Sequence, residues 1–279
     1  MPELPEVEAA RILAARVAAG RRIVGVWCAR DPIVFEAVSS ARFRRALVGR
    51  RVTGADRHGK HCWLELDRRP WPCFHFGMAG GLHAPRTPGV RLRSSGKRDP
   101  GDAWPPRFTK LRLTFDDGGE LAMSDGRRLG RIRLRHDPRA EPPISRLGFD
   151  ALLAVPPPAE FFALLTERSA PVKALLLDQS FAAGVGNWIA DEVLYQARIA
   201  PRRPARSLSR EDARRLRAAL GLVITTAVAA RADSDRFPRT WLFHHRWGHR
   251  EDATTARGEK IRHDRVGGRT TAWVPIVQR

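Results

Sequence analysis

The second residue of this chain is the first with chemistry to offer. Removal of an initiator methionine, normal before a small residue, would leave Pro2 with a free secondary amine. An α-amine titrates near ~8, so a useful fraction is uncharged at cellular pH. Nearby positive charge would lower that pKa and enlarge the nucleophilic fraction. Such an amine can attack a sugar C1′ and form an iminium, the covalent strategy that amines support. Glu3 and Glu6 lie close by in sequence and offer a proton donor and acceptor. Met-Pro by itself also reads as an ordinary structural N-terminus.

What must position these groups is a chain of 279 residues, enough for one large domain or two ordinary ones. Fifty Lys and Arg stand against thirty Asp and Glu, a net charge of +20. That surplus attracts a polyanion, and nucleic acid is the usual one. An arginine-rich codon bias is the bland alternative. No apolar run approaches the roughly 18–20 residues that span a bilayer. The acidic, proline-rich start is the opposite of a signal peptide. A soluble, cytoplasmic and nucleoid-associated protein with no membrane partner is expected. Cys28, Cys62 and Cys73 lack paired spacing and read as reduced core residues.

The first half reads mainly as strands. One helix, roughly residues 5–19, precedes them. Cys62, Leu64 and Leu66 alternate with Trp63, Glu65 and Asp67, the pattern of a half-buried strand. Leu111, Leu113 and Phe115 lead into a turn at 116–119 and a second strand, a hairpin. Ile132 and Leu134 alternate with Arg131, Arg133 and Arg135, a row of arginines turned from the core. Residues 84–107 read as a long basic loop. Near residue 150 the pattern turns helical. Three prolines at 156–158 can set the first turn of a helix over 159–168. Ser209 and Asp212 form a capping-box pattern ahead of Leu216, Leu220, Val223 and Ala227, and seven arginines lie between 202 and 217. The expected domains are 1–150, 151–232 and 233–279.

The string Pro2-Glu3-Leu4-Pro5-Glu6-Val7-Glu8 resembles the N-terminal signature of the formamidopyrimidine-DNA glycosylase and endonuclease VIII family. The segment Leu176-Leu177-Asp178-Gln179, then Gly184-Val185-Gly186-Asn187-Trp188 through Glu192, resembles that family's helix–two-turn–helix. The resemblance covers nearly the whole chain. It implies an α+β fold: an N-terminal β-sandwich, a helical domain and a C-terminal hairpin, with DNA between the domains. It makes Pro2 the nucleophile, Glu3 the acid that protonates the opening sugar, and Glu6 a supporting carboxylate. Lys60, in the turn before the Cys62 strand, matches a lysine beside the lesion's phosphate. Met78, within residues 75–80, matches the side chain that fills the gap left by an everted base. Arg127 matches the arginine that faces the orphaned partner base, and Leu129 stands where the family has an aromatic wedge. An apolar side chain still parts a base step but loses the stacking of a ring. Asn187, opening a helix, would hold a phosphate at its N-terminus.

At the C-terminus the sequence departs from the four-cysteine finger of most bacterial members, having no cysteine after Cys73. The hairpin around Gly267 and Gly268 resembles the zincless finger of plant and fungal relatives, with Val274 and Val277 where cysteines would fall. Apolar packing replaces the metal in this reading, and Arg269 would reach the phosphates held by Asn187. His244, His245, His249 and His263 fit no standard finger and read as polar surface residues. Phe108 stands where bacterial relatives place a phosphate-contacting histidine, with Arg107 or Lys110 to compensate. The segment 232–247 resembles the plant and fungal version and lacks the long loop that covers 8-oxoguanine in bacterial relatives.

The resulting expectation is a monomeric bifunctional glycosylase and abasic-site lyase of base excision repair, acting on damaged double-stranded DNA without cofactor or metal. Formamidopyrimidine and hydantoin lesions are expected to be better substrates than 8-oxoguanine. About five or six phosphate contacts imply a log–log salt slope of roughly −5. The alternatives are a non-catalytic binder of damaged DNA, and an RNA- or ribosome-associated protein that would give Pro2 and Glu3 no purpose.

Overall fold

Proline in the first helical turn gives up an N–H that has no partner there in any case, so Pro5 starts a helix without cost. α1 (Leu4–Ala18) begins one residue earlier than the sequence pattern suggests, with Glu3 in extended conformation as its N-cap. Leu4, Val7, Ala10, Ala14 and Ala18 are buried along it. In the computed structural model, which describes residues 2–89, 103–248 and 252–279, the chain divides into two compact units. The first is 1–146 with 231–234, and the second is 147–230 with 235–279.

In the first unit β1 (Ile23–Cys28) is followed by α2 (Ser40–Leu47), β2 (Val52–His58), β3 (His61–Leu66), β4 (Trp71–His75), β5 (Gly81–His83), β6 (Thr109–Phe115), β7 (Glu120–Ser124) and β8 (Arg131–Arg135). They make two antiparallel four-stranded sheets, ordered β1-β6-β7-β5 and β2-β3-β4-β8. Phe115, Leu113 and Leu111 from one sheet share an apolar cluster with Leu64, Phe74 and Ile132 from the other, the β-sandwich core. Helix α1 packs on β2 and β3 of one sheet and on β5 and β7 of the other. The expected loop over 84–107 falls partly on residues 90–102, outside the described residues.

The alternation in β3 holds on the inner face and fails on the outer one. Trp63, expected outward, is buried with Cys73 and Ile144, and Arg139 lies 5.4 Å over its ring. The chain after β8 folds back and covers that face, so a local period of two reports only half of the burial. The arginine row on β8 does face outward, and it is ion-paired: Arg131 and Arg133 with Glu36, Arg135 with Glu141.

The second unit runs β9 (Phe149–Asp150), α3 (Pro158–Thr166), α4 (Val172–Leu177), β10 (Ala182–Ala183), α5 (Asn187–Ala197), α6 (Arg210–Ala229), β11 (Arg262–Val266) and β12 (Arg269–Trp273). Helix α6 carries the capping box that Ser209 and Asp212 imply, with both reciprocal hydrogen bonds made. Leu216, Leu220, Val223 and Ala227 are all buried. Together with the first unit this is the α+β arrangement expected: β-sandwich, helical domain and β11–β12 hairpin.

Candidate active site and nucleic-acid interface

In the first unit α1 delivers Pro2, Glu3 and Glu6 together at its head. Pro2 is partly exposed, whereas both glutamates are buried. Burial, and then the neighbouring Glu3 carboxylate, push the Glu6 carboxyl up to about 8. Glu6 therefore keeps its proton at neutral pH, and its Oε2 has no hydrogen-bond partner. A protonated carboxyl next to an amine terminus is a donor in reserve.

Lys60 is buried in the two-residue loop between β2 and β3, where His58 pairs with His61. Gly59 takes the first loop position at φ 55°, which a hairpin this tight asks of glycine. Arg57, 1% exposed, anchors the turn: its Nη1 donates to the Gly59 carbonyl at 3.1 Å and its Nε to Glu8 of α1 at 2.9 Å. The same Glu8 accepts from Arg11. This bridge fixes the helix that carries Pro2 to the turn that carries Lys60. Next to the turn, His61 and His75 pair across β3 and β4 with ring centroids 4.7 Å apart. Burial lowers both, His61 to about 2, with His75 as the next cause, and His75 to about 4, with Arg133 as the next cause.

Met78 and Leu129, expected to act on the base stack, are exposed apolar side chains at 40% and 42%. Their loops touch at Gly77. With φ 59°, a Cβ there would fall 2.4 Å from the Leu129 carbonyl carbon. Only glycine fits, and the fit brings residues 77–78 against residues 129–130. Asp125, fully buried, holds the second loop by accepting from Arg127 N at 3.0 Å and Gly130 N at 2.6 Å. Arg127 is exposed at the loop's rim. Phe108, 48% exposed at φ 63°, packs on Gly126, and Arg107 stacks over its ring at 4.6 Å. Lys110, the other cation named as a substitute for the missing histidine, is tied to Asp31 at 2.8 Å.

In the second unit Asn187 is the first residue of α5, after a loop that turns at Gly184 with φ 102°. Gln179 braces that loop: its Nε2 donates to the Leu177 and Val185 carbonyls at 2.8 and 2.9 Å, and its Oε1 accepts from Gly184 N at 3.1 Å. Asn187 Oδ1 makes no hydrogen bond. Arg269 is exposed directly after the Gly267-Gly268 turn, whose two positive φ values of 58° and 73° suit a primed hairpin turn. Gly267 also sits on α4, where a Cβ would meet Ala174 at 2.9 Å.

Beneath the hairpin lies a buried charge network. Asp191 of α5 meets Lys173 at 2.6 Å and Arg246 at 2.6 Å, and accepts from Ala272 N of β12 at 3.0 Å. Lys173 also donates to the Thr270 carbonyl and the Thr271 hydroxyl. Val274 and Val277 join an apolar cluster with Tyr195, Leu242, Ile261 and Ala272, which gives this end of the chain a core of its own. The aromatic segment before it packs on α5, with Phe237 5.6 Å and Phe243 5.2 Å from Trp188. His263 contacts the Arg246 carbonyl, and His244 packs edge-on against Phe243. His249 lies outside the described residues.

Comparison with known proteins decides the lineage. Residues 1–132 match the formamidopyrimidine-DNA glycosylase N-terminal domain, and residues 147–238 match its H2TH domain. The formamidopyrimidine-DNA glycosylase of Arabidopsis thaliana is 42% identical over the whole chain, which spans 71% of that protein. The chain belongs to the formamidopyrimidine-DNA glycosylase family. The Thermus thermophilus glycosylase is 39% identical over 82% of this chain and 76% of its own length. Among solved structures, the MutM (Fpg) protein of Thermus thermophilus covers 99% of this chain and 98% of itself, with a TM-score of 0.76 at 34% identity. MutM in complex with carbocyclic 8-oxo-G DNA covers 100% of both chains with a TM-score of 0.82 at 23% identity, a likeness of fold.

Within this glycosylase fold the sequence pattern missed Glu8 with Arg57, Asp31, and Lys173 with Asp191. Their partners lie far off in sequence: 49 residues separate Glu8 from Arg57, and 97 separate Asp31 from Arg128. Lys173 is fully buried, but in the run Val172 to Leu177 it looks like any helix lysine facing water.

Proposed function

We propose that this glycosylase excises oxidised bases from duplex DNA and then cuts the strand, using Pro2 of the methionine-trimmed chain as nucleophile. The observation that carries the reading is the head of α1: a partly exposed proline over two buried glutamates, one of which holds its proton at neutral pH. The Pro2 nitrogen bonds to C1′ while the damaged base leaves; the Glu3 carboxylate takes up the proton that the attacking amine sheds and delivers it to O4′ as the sugar ring opens to an iminium. Loss of a C2′ proton then expels the 3′ phosphate, a second elimination expels the 5′ phosphate, and water releases the proline. Glu6 serves as the proton reserve, and Lys60 holds the lesion's phosphate.

Arg127 faces the orphaned base, Met78 fills the gap and Leu129 parts the stack. Asn187 and Arg269 bind phosphates flanking the lesion. The partner is damaged double-stranded DNA, bound by a monomer in the cytoplasm at the nucleoid, and formamidopyrimidine and hydantoin lesions and abasic sites are cut faster than 8-oxoguanine. Single-turnover rates on these lesions check that order, and fastest cutting of 8-oxoguanine overturns it.

Borohydride trapping on an abasic duplex tests the chemistry. The trimmed chain should give a covalent protein–DNA adduct. A chain extended ahead of Pro2, whose nitrogen is then an amide, should bind the duplex yet neither trap nor cut. Absence of an adduct from the trimmed chain would identify a non-catalytic binder of damaged DNA instead.

A further inference from the structure

Asp31 lies just after β1, 6% exposed, and gathers more partners than any turn requires. Its carboxylate accepts from Arg128 Nε at 3.0 Å and Nη2 at 3.1 Å, a two-pronged pair, and from Lys110 Nζ at 2.8 Å. The backbone N–H groups of Ile33 and Val34 donate to it as well. Burial works against the charge, but the bonds from Arg128 and Lys110 hold this carboxyl far below the usual carboxylate range. Arg128 sits at φ 56°, a left-handed conformation that a long side chain adopts only when something holds it. Arg128 remains half exposed even so, and its two neighbours in the loop, Arg127 and Leu129, are exposed as well.

We infer that Asp31 is a positioning residue for loop 125–130: by pinning Arg128 it presents Arg127 and Leu129 to the base stack, and it keeps two cations from gripping DNA indiscriminately. The inference rests on the wedge roles proposed for Arg127 and Leu129. A loop anchored at Asp125 alone is fixed at its ends. Asp31 fixes its middle: the guanidinium of the half-exposed Arg128 is held on the buried carboxylate, and that tether limits how the exposed residues on either side can move. Freed of Asp31, Arg128 and Lys110 would become two extra charges available to phosphates on any sequence.

The consequence has a sign that loss of folding does not share. Asp31→Asn keeps the shape and one acceptor but removes the charge. It should bind undamaged duplex more tightly, with a log–log salt slope steeper by about one to two, near 0.9 per freed cation. Discrimination among opposite bases should fall about tenfold, and fluorescence of a 2-aminopurine beside the lesion should report a less disturbed stack. Trapping on an abasic site should remain as in the parent. Asp31→Glu, which restores the charge, should return the salt slope toward the parent value. If Asp31→Asn folds poorly, Arg128→Gln serves as the mirror test: it unpins the loop without freeing Arg128, so discrimination falls and the slope does not steepen. Leu129→Ala separates the inference from its premise. Loss of 2-aminopurine signal in Leu129→Ala, with an unchanged signal and slope in Asp31→Asn, overturns the clamp. No loss in Leu129→Ala overturns the wedge reading itself.

Discussion

Asp191 in the second unit and Glu6 in the first are both carboxylates withdrawn from water, and they meet different company. Asp191 has two cations within 2.6 Å and a backbone N–H at 3.0 Å. Glu6 has Glu3 as its charged neighbour among the causes that raise its pKa, and one oxygen without a hydrogen-bond partner. A buried charge that is paired anchors structure, and Asp191 ties α4, α5 and β12 together. A buried carboxyl whose desolvation and like-charged neighbour outweigh its backbone hydrogen bonds and the chain's amine takes up a proton, which makes it unstable as structure and useful as chemistry. The same cost of desolvation therefore yields a bolt in one unit and a proton store in the other.

The contrast breaks most visibly at the bolt. Asp191→Ala leaves Lys173 and Arg246 buried without their anion and should destabilise the protein by about 3–5 kcal/mol. Calorimetry would read this as a lower melting temperature. A loss below about 1 kcal/mol would mean that the network contributes little.

The histidine pair gives the next effect. His61 and His75 have folded pKa values well below the ordinary 6.5, so the unfolded chain binds more protons below that pH. Their contribution is complete above pH 6.5 and drains as pH falls, at up to about 1.4 kcal/mol per pH unit for each ring. His75→Gln should remove one ring's share, about 2 kcal/mol of acid sensitivity between pH 6.5 and 4.5. Chemical denaturation at several pH values checks the slope.

Glu6 has the opposite sign. Its folded pKa lies above its unfolded one, so its contribution is present below about 4.5 and is lost as pH rises through about 8. Glu6→Gln should therefore gain on the parent as pH rises from 5 to 8, at up to about 1.4 kcal/mol per pH unit, while losing rate in strand cutting. A variant that is less stable at pH 8 than at pH 5, relative to the parent, would contradict the proton-store account. Smallest is the α6 cap: Ser209→Ala should cost about 1 kcal/mol with no effect on trapping.

How much of this was legible in the residues alone follows from distance along the chain. The α1 helix, the β6–β7 turn, the Ser209–Asp212 cap and the Gly184–Asn187 helix start are local, set by proline, glycine and periodicity, and they stand in the structure as the sequence implies. Trp63 fails because the cover over it, Ile144, comes from 81 residues further on. Asp31 and Lys173 fail for the same reason, since no local pattern distinguishes a buried, paired charge from a solvated one. Pro2, Glu3 and Glu6 stand together in the sequence itself, Lys60 is marked only by family resemblance, and the protonation of Glu6 needs the burial that only the fold supplies.

The central claim is a bond between the Pro2 nitrogen and deoxyribose. Tandem mass spectrometry of the borohydride-trapped complex tests it most directly. The account predicts a sugar remnant on the first residue of a chain that begins at Pro2. A remnant on Lys60 or any other lysine, or an adduct formed by a chain that still carries Met1, would contradict it.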